Sequence, residues 1–214
     1  MTGGTGWTVL VPLRDLGGGK TRLSPWLSSA ERRELTAYAA AAVVTACKHA
    51  DSVARVVLVT GSSEASDWAA DAGVIAWPEP PGRLGLAGAM EAAVAAHANP
   101  QSRIAVVMGD LPLANAAAIS RCLRRADTRP VTLVPSRSGT GTNMLAFTGG
   151  VQLALALGAP DSLAQHRRAA RAAGLRFQTV PSAPLALDVD DADDLRLLAG
   201  VAAARRSLAF LARF

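Results

Sequence analysis

"WTVLVPLRDLGGGKTRLSP" (residues 7–25) opens with a short run rich in Val and Leu and then breaks into three consecutive glycines followed by Lys20 and Arg22. The apolar run 7–13 is too short for a core helix and reads as a buried strand. Gly17, Gly18 and Gly19 permit a tight turn in which backbone N–H groups approach an anion closely. Arg22 can grip a phosphate in a fork, and Lys20 adds a point charge. The spacing is that of neither a Walker A loop nor a Gly-x-Gly-x-x-Gly dinucleotide turn. A flexible surface loop with two solvated cations is the plain alternative.

The same strand-then-helix alternation continues outward from this stretch. A helix is expected from about Ser29 to Ala50, capped by Ser28 or Ser29 with Glu31 in its first turn. Strands are expected at 55–60 and 74–77, with a helix from Ser63 to Ala72 between them. "LAGAMEAAVAAHA" (86–98) reads as a helix and "RIAVVMGDLP" (103–112) as a strand ending on a carboxylate. A helix near Ala114 to Ala126, strands "VTLVPS" and "MLAFT", and a last helix from Asp191 complete the pattern. Strands separated by helices imply one α/β domain over residues 1–214, a mostly parallel sheet with helices on both faces. Such sheets bind ligands at the carboxyl ends of their strands. Four strand-end loops carry the notable side chains: 17–22, 109–112, 138–143 and 188–191.

Asp110, beside Gly109 at a strand end, is placed to offer oxygen to a hard divalent cation, or else to cap a turn. In "LDVDDADDL" (187–195), Asp188 and Asp190 point the same way if the segment is extended. Asp191 and Asp194 have the spacing of a capping box, so Asp188 and Asp190 are the better metal candidates. "SGTGTN" (138–143) offers backbone N–H groups and the Thr142 hydroxyl to anionic oxygens, or is a plain turn. Ser162 falls at a helix start, where anions are favoured, and His166 one turn later on the same face.

Half of the 214 residues are hydrophobic and the formal net charge is +5. The arginine excess is scattered and not interleaved with aromatics, so no nucleic-acid surface is expected. No apolar run is long enough to span a membrane and no signal peptide is visible, so a cytoplasmic protein with no membrane partner is expected. The two cysteines, Cys47 and Cys122, fall on apolar helix faces and are expected reduced and buried. The sequence leaves a homo-oligomer open.

Taken together, "PLRDLGGGKTRLSP", "GDLPL", "SGTGTNML", "PDSLAQH" and "LDVDDADDL" resemble, in that order, the phosphoenolpyruvate/2-phospho-L-lactate guanylyltransferases of deazaflavin coenzyme F-420 biosynthesis. The resemblance runs from Trp7 to about Leu198. It implies a nucleotide-diphospho-sugar transferase (glycosyltransferase-A-like) fold. It also implies transfer of GMP from GTP to phosphoenolpyruvate or 2-phospho-L-lactate, with release of pyrophosphate. By match to the family motifs, Asp110 and Asp188 would hold Mg²⁺ with help from Asp190. Thr142 and Ser162, with Asn143, Gly158 and His166, would form the acid site, and Lys20 and Arg22 would lie near the phosphates. The chain departs from the family at Ala87, where an Asn is usual. It departs again at "GAPDS" (158–162), where Gly158 or Ala159 takes the place of the Gly in a Phe-Gly pair. The alternatives are another Mg²⁺-dependent nucleotidyltransferase with a sugar or cofactor acceptor, and a non-catalytic nucleotide-binding protein.

Overall fold

The computed structural model describes residues 6–17, 19–82, 85–148, 151 and 153–214. Gly18 lies outside the described residues. The strands are β1 (Trp7–Pro12), β2 (Val53–Thr60), β3 (Ile75–Pro78), β4 (Arg103–Val107), β5 (Val131–Pro135), β6 (Thr142–Thr148) and β7 (Phe177–Thr179). They form one sheet in the order β3-β2-β1-β4-β6-β5-β7. The helices are α1 (Ser29–Lys48), α2 (Ser63–Asp71), α3 (Gly85–His97), α4 (Ala116–Ala126), α5 (Ser162–Ala172), α6 (Ala183–Ala186), α7 (Ala192–Ala199) and α8 (Ala202–Ser207).

The expected α/β architecture is present, with one strand reversed. β1 pairs in parallel with β2 and β4, as β2 does with β3 and β5 with β7. β6 runs antiparallel to both β4 and β5. Only a short loop joins β5 to β6, and a parallel return needs a crossover of about a dozen residues or more. Strand alternation sends Val9 and Val11 of β1 into one apolar cluster with α1 and α4, and Leu10 into another with Met90 of α3 and Leu163 of α5. Both faces of the sheet are therefore covered. Cys47 and Cys122 are free and fully buried among these side chains.

Local signals explain the helix starts. Ser28 caps α1 and Glu31 returns the bond, a complete capping box. Asp191 and Asp194 do the same for α7. The described residues contain no helix long and apolar enough to cross a membrane.

From β1 the chain builds outward to β2 and β3, then returns past β1 to β4. That reversal of strand order opens a crevice at the carboxyl ends of β1 and β4. Gly109 closes its floor: a Cβ there would lie 2.5 Å from the Pro12 carbonyl oxygen at the end of β1. Both partners are backbone, so neither can swing aside. Gly109→Ala is expected to cost about 1–3 kcal/mol, as overpacking does. Urea unfolding checks this, and a midpoint equal to wild type would show that the strand ends separate freely.

Candidate active site

A third apolar cluster sets the site. Leu23 and Leu27, just past the glycine-rich loop, pack with Leu187, Val189, Leu195, Leu198 and Leu211 from the carboxyl-terminal part of the chain. Val189 is fully buried. Its neighbours on an extended segment must face the other way, so Asp188 and Asp190 turn toward the crevice. Burying Leu23 beside Val189 brings Lys20 to the same place.

Lys20 adopts left-handed backbone geometry (φ 58°) and its side chain is only 7% exposed. The ammonium donates to the Val189 carbonyl at 2.8 Å and lies 3.5 Å from Asp110 and 3.6 Å from Asp190. In this arrangement it balances the acidic cluster. The sequence suggested a nest of free N–H groups in the glycine loop, but the Gly17 N–H is already given to Asp15 at 2.8 Å. Gly19 is exposed, and a Cβ there would meet nothing within 4 Å.

Two cavities meet at Asp110. The first, of about 310 Å³, lies over β1 and is lined by Arg14, Gly19, Lys20, Glu79, Leu86 and Asp110, among others. The second, of about 490 Å³, lies over β6 and is walled by hydroxyls. Ser136, Ser138, Thr140, Thr142 and Ser162 line it, with Arg22, Gly158, Asp110, Asp188 and Asp190. Met108, Asp110 and Asp190 belong to both.

Oδ1 of Asp110 is buried and has no hydrogen-bond partner. Burial raises the Asp188 carboxyl above the usual carboxylate range, and the charges of Asp110 and then Asp190 raise it further. An orphaned carboxylate oxygen among mutually repelling carboxylates is the donor set a hard divalent cation relieves, so these residues fit one. No group of three or more His, Cys, Asp or Glu among the described residues forms a ready-made metal centre. Two carboxylates completed by water and substrate phosphate oxygens are the usual arrangement for such an ion at a nucleotide site.

Two of the residues expected at the acid site are engaged by bonds within the protein. His166 is fully buried and bonds Thr142 and the Ala156 backbone, so it stands behind the cavity surface instead of on it. Asn143 lines the cavity; its side-chain amide donates to the carbonyls of Leu185 and Ala186 and also hydrogen-bonds the Asp188 carboxyl, tying β6 to the segment that carries Asp188. Gly158 takes the left-handed turn (φ 78°), and a Cβ there would lie 3.1 Å from Leu86. Of the two residues at the family's glycine place, Gly158 therefore holds the conformation that favours glycine. Sequence reasoning missed Ser136, Glu79 and Arg14; Ser136 and Glu79 lie in no motif, Arg14 stands in the first motif without being singled out, and only the folded crevice gathers them.

The family described as "Guanylyl transferase CofC like" matches residues 7–213. The chain belongs to the CofC-like guanylyl transferase family. It is 37% identical over 209 residues to the phosphoenolpyruvate guanylyltransferase of Streptomyces coelicolor, covering 97% of this chain and 96% of the relative. It is 36% identical over 186 residues to the 3-phospho-D-glycerate guanylyltransferase of Phenylobacterium zucineum, covering 83% and 82% respectively. The fold also matches the crystal structure of a Desulfovibrio desulfuricans G20 protein assigned as a nucleotide-diphospho-sugar transferase. That match has a TM-score of 0.78 and 16% identity, covering 97% of this chain and 94% of that one. The CofC-like chain thus shares its architecture with that protein, and its sequence with enzymes named for different acceptors.

Proposed function

We propose that this CofC-like protein transfers GMP from GTP to the phosphate of a small phosphorylated three-carbon acid, with phosphoenolpyruvate first in line, and releases pyrophosphate. The observation that carries the reading is the pair of cavities meeting at Asp110. Two anionic substrates, one in each, would have their reacting phosphates side by side over the acidic residues.

The cavity over β1 takes GTP. Glu79 lines it and can accept from the adjacent N1–H and amino donors on guanine, which adenine does not present in that arrangement. This supplies base recognition despite Ala87. The cavity over β6 takes the acid. Its hydroxyls donate to carboxylate and phosphate oxygens, Arg22 adds a forked cation, and the N-terminus of α5 favours negative charge. The acceptor phosphate is already ionised at neutral pH, so no general base is required. The work of the chain is to neutralise and align two polyanions for in-line attack at the α-phosphorus. Mg²⁺, held by Asp110 and Asp188 with Asp190 nearby, would supply positive charge against the α-phosphate. Lys20 holds Asp110 and Asp190 in place and limits their mutual repulsion, and Arg22 stabilises phosphate charge. We assign this work to one nucleotidyltransferase domain over residues 1–214. We place it in the cytoplasm, where GTP and the acid occur and free buried cysteines stay reduced.

A second acceptor, 3-phospho-D-glycerate, is favoured by the Phenylobacterium relative and by the hydroxyl-rich wall, which can pair with an extra substrate hydroxyl. The test is pyrophosphate release with GTP and Mg²⁺ and, in turn, phosphoenolpyruvate, 2-phospho-L-lactate and 3-phospho-D-glycerate. Rapid quench guards against a labile diester product. Release that depends on one acid supports the reading and names the acceptor. Protein that binds GTP yet releases no pyrophosphate with any of the three would overturn it.

A further inference from the structure

His166 is the buried titratable group in the acid-site wall that the proposed reaction does not use. It is fully buried on α5, one turn past Ser162. The Ala156 backbone N–H approaches its Nε2 at 2.9 Å. A backbone N–H can only donate, so Nε2 must carry the lone pair. A neutral imidazole then has its single hydrogen on Nδ1, which lies 2.9 Å from the Thr142 hydroxyl oxygen and donates to it. The Ser162 hydroxyl donates to the same oxygen at 3.4 Å. With both lone pairs of that oxygen engaged, the Thr142 hydroxyl can act only as a donor. No acceptor among the described residues takes its hydrogen. Thr142 lines the β6-side cavity, where an anionic oxygen would take it.

We propose that His166 is a positioning residue for the acceptor: it fixes the Thr142 hydroxyl as a donor to an anionic oxygen of the acid and, through Ala156, anchors the turn that carries Gly158. The inference rests on the reading that the β6-side cavity is the acid site. It assigns His166 no contact with substrate. The hydrogen-bond direction runs from Nδ1 to Thr142 and from Thr142 outward, so the second link depends on the first. The bond from Ala156 sets the whole sequence. The protonated ring could not accept it, and the other neutral tautomer would turn a hydrogen toward the Ala156 N–H.

Two substitutions separate the two ring contacts. His166→Gln can place an amide oxygen near the Nε2 position and keep the Ala156 bond while losing donation to Thr142. His166→Asn can place an amide nitrogen near Nδ1 and keep donation to Thr142. With the full chain, GTP, Mg²⁺ and the acid that supports turnover, His166→Gln is expected to raise KM for the acid by about tenfold or more, with KM for GTP within about twofold of wild type. His166→Asn is expected to recover most of that loss. Thr142→Val should raise the same KM, and adding His166→Gln to it should change little further, because the two act on one bond.

A second measurement needs no activity. The chain has three histidines, so ¹⁵N signals of the ring nitrogens can be assigned by substitution. His49 and His97 also set Nδ1 against a backbone carbonyl, so the readout is the signal assigned to His166, which at neutral pH is expected to show a slowly exchanging Nδ1–H and a bare Nε2. An Nε2–H tautomer overturns the proposal even if the variants fail to fold. So does folded His166→Gln with an unchanged KM for the acid, or full additivity with Thr142→Val. If wild type turns over no acid, the proposed function fails, whereas active wild type with an indifferent His166→Gln defeats only this inference.

Discussion

Asp110→Asn is expected to leave the protein folded and to slow acid-dependent pyrophosphate release by roughly 10³-fold, the scale seen when one charge-stabilising group is removed from a preorganised site. The side chain keeps its shape and loses its charge, so the change isolates electrostatics. Asp110 is the carboxylate common to both cavities, and its buried Oδ1 has no partner in the protein. Lys20 would retain Asp190 at 3.6 Å and the Val189 carbonyl, so the loop should stay where it is. A second consequence follows from the same charge. Burial and then Asp110 hold the Asp188 carboxyl above its ordinary range, so removing the Asp110 charge lets Asp188 ionise at lower pH. Carboxyl NMR titration of wild type and variant reads that shift directly. A release rate within a few-fold of wild type would remove Asp110 from the reaction.

The fold was legible where local chemistry and pattern agree. Ser28 with Glu31, and Asp191 with Asp194, announce helix starts that the structure reproduces as complete capping boxes. The apolar runs at β1, β2 and β4 announce strands in a sheet covered on both faces. Strand direction is less visible, because a buried run reads the same either way. The reversal of β6 was implicit only in the short loop 136–141, which leaves no room for a crossover.

The candidate site divides along the same line. Alternation about Val189 was readable and sets Asp188 and Asp190 toward the crevice. Lys20 was readable only as a cation beside glycines. Its contact with the Val189 carbonyl joins residues 169 positions apart, and the packing of Leu23 and Leu27 against the carboxyl-terminal cluster produces it. No local signal carries such a contact. The spacing of Ser162 and His166 placed both on one helix face. It did not show that the imidazole would be sealed behind Thr142, which depends on β6 running past the start of α5.

That sealed imidazole makes stability depend on acid in a defined window. Burial alone lowers the His166 pKa from 6.5 to about 4, with no charged neighbour contributing. Between those values the unfolded chain binds a proton that the folded chain refuses. Stability therefore falls as pH drops from about 6.5 toward 4 and rises again with pH over the same interval. At about 1.4 kcal/mol for each unit of pKa difference, the loss amounts to about 3 kcal/mol. Two carboxyls also bear on the lower part of the window. Hydrogen bonding at Ser28 lowers Glu31, whose stabilisation is lost as pH falls through its folded pKa. Asp188 is raised and works in the opposite sense, because the folded state takes its proton more readily. Both are retained in His166→Gln, so the difference between the urea-unfolding stabilities of wild type and variant isolates the imidazole. The wild-type curve should be steeper between pH 4 and 6.5 and parallel to the variant above about pH 7. Parallel curves throughout would mean that water reaches the ring and that the Ala156 bond does not hold it neutral.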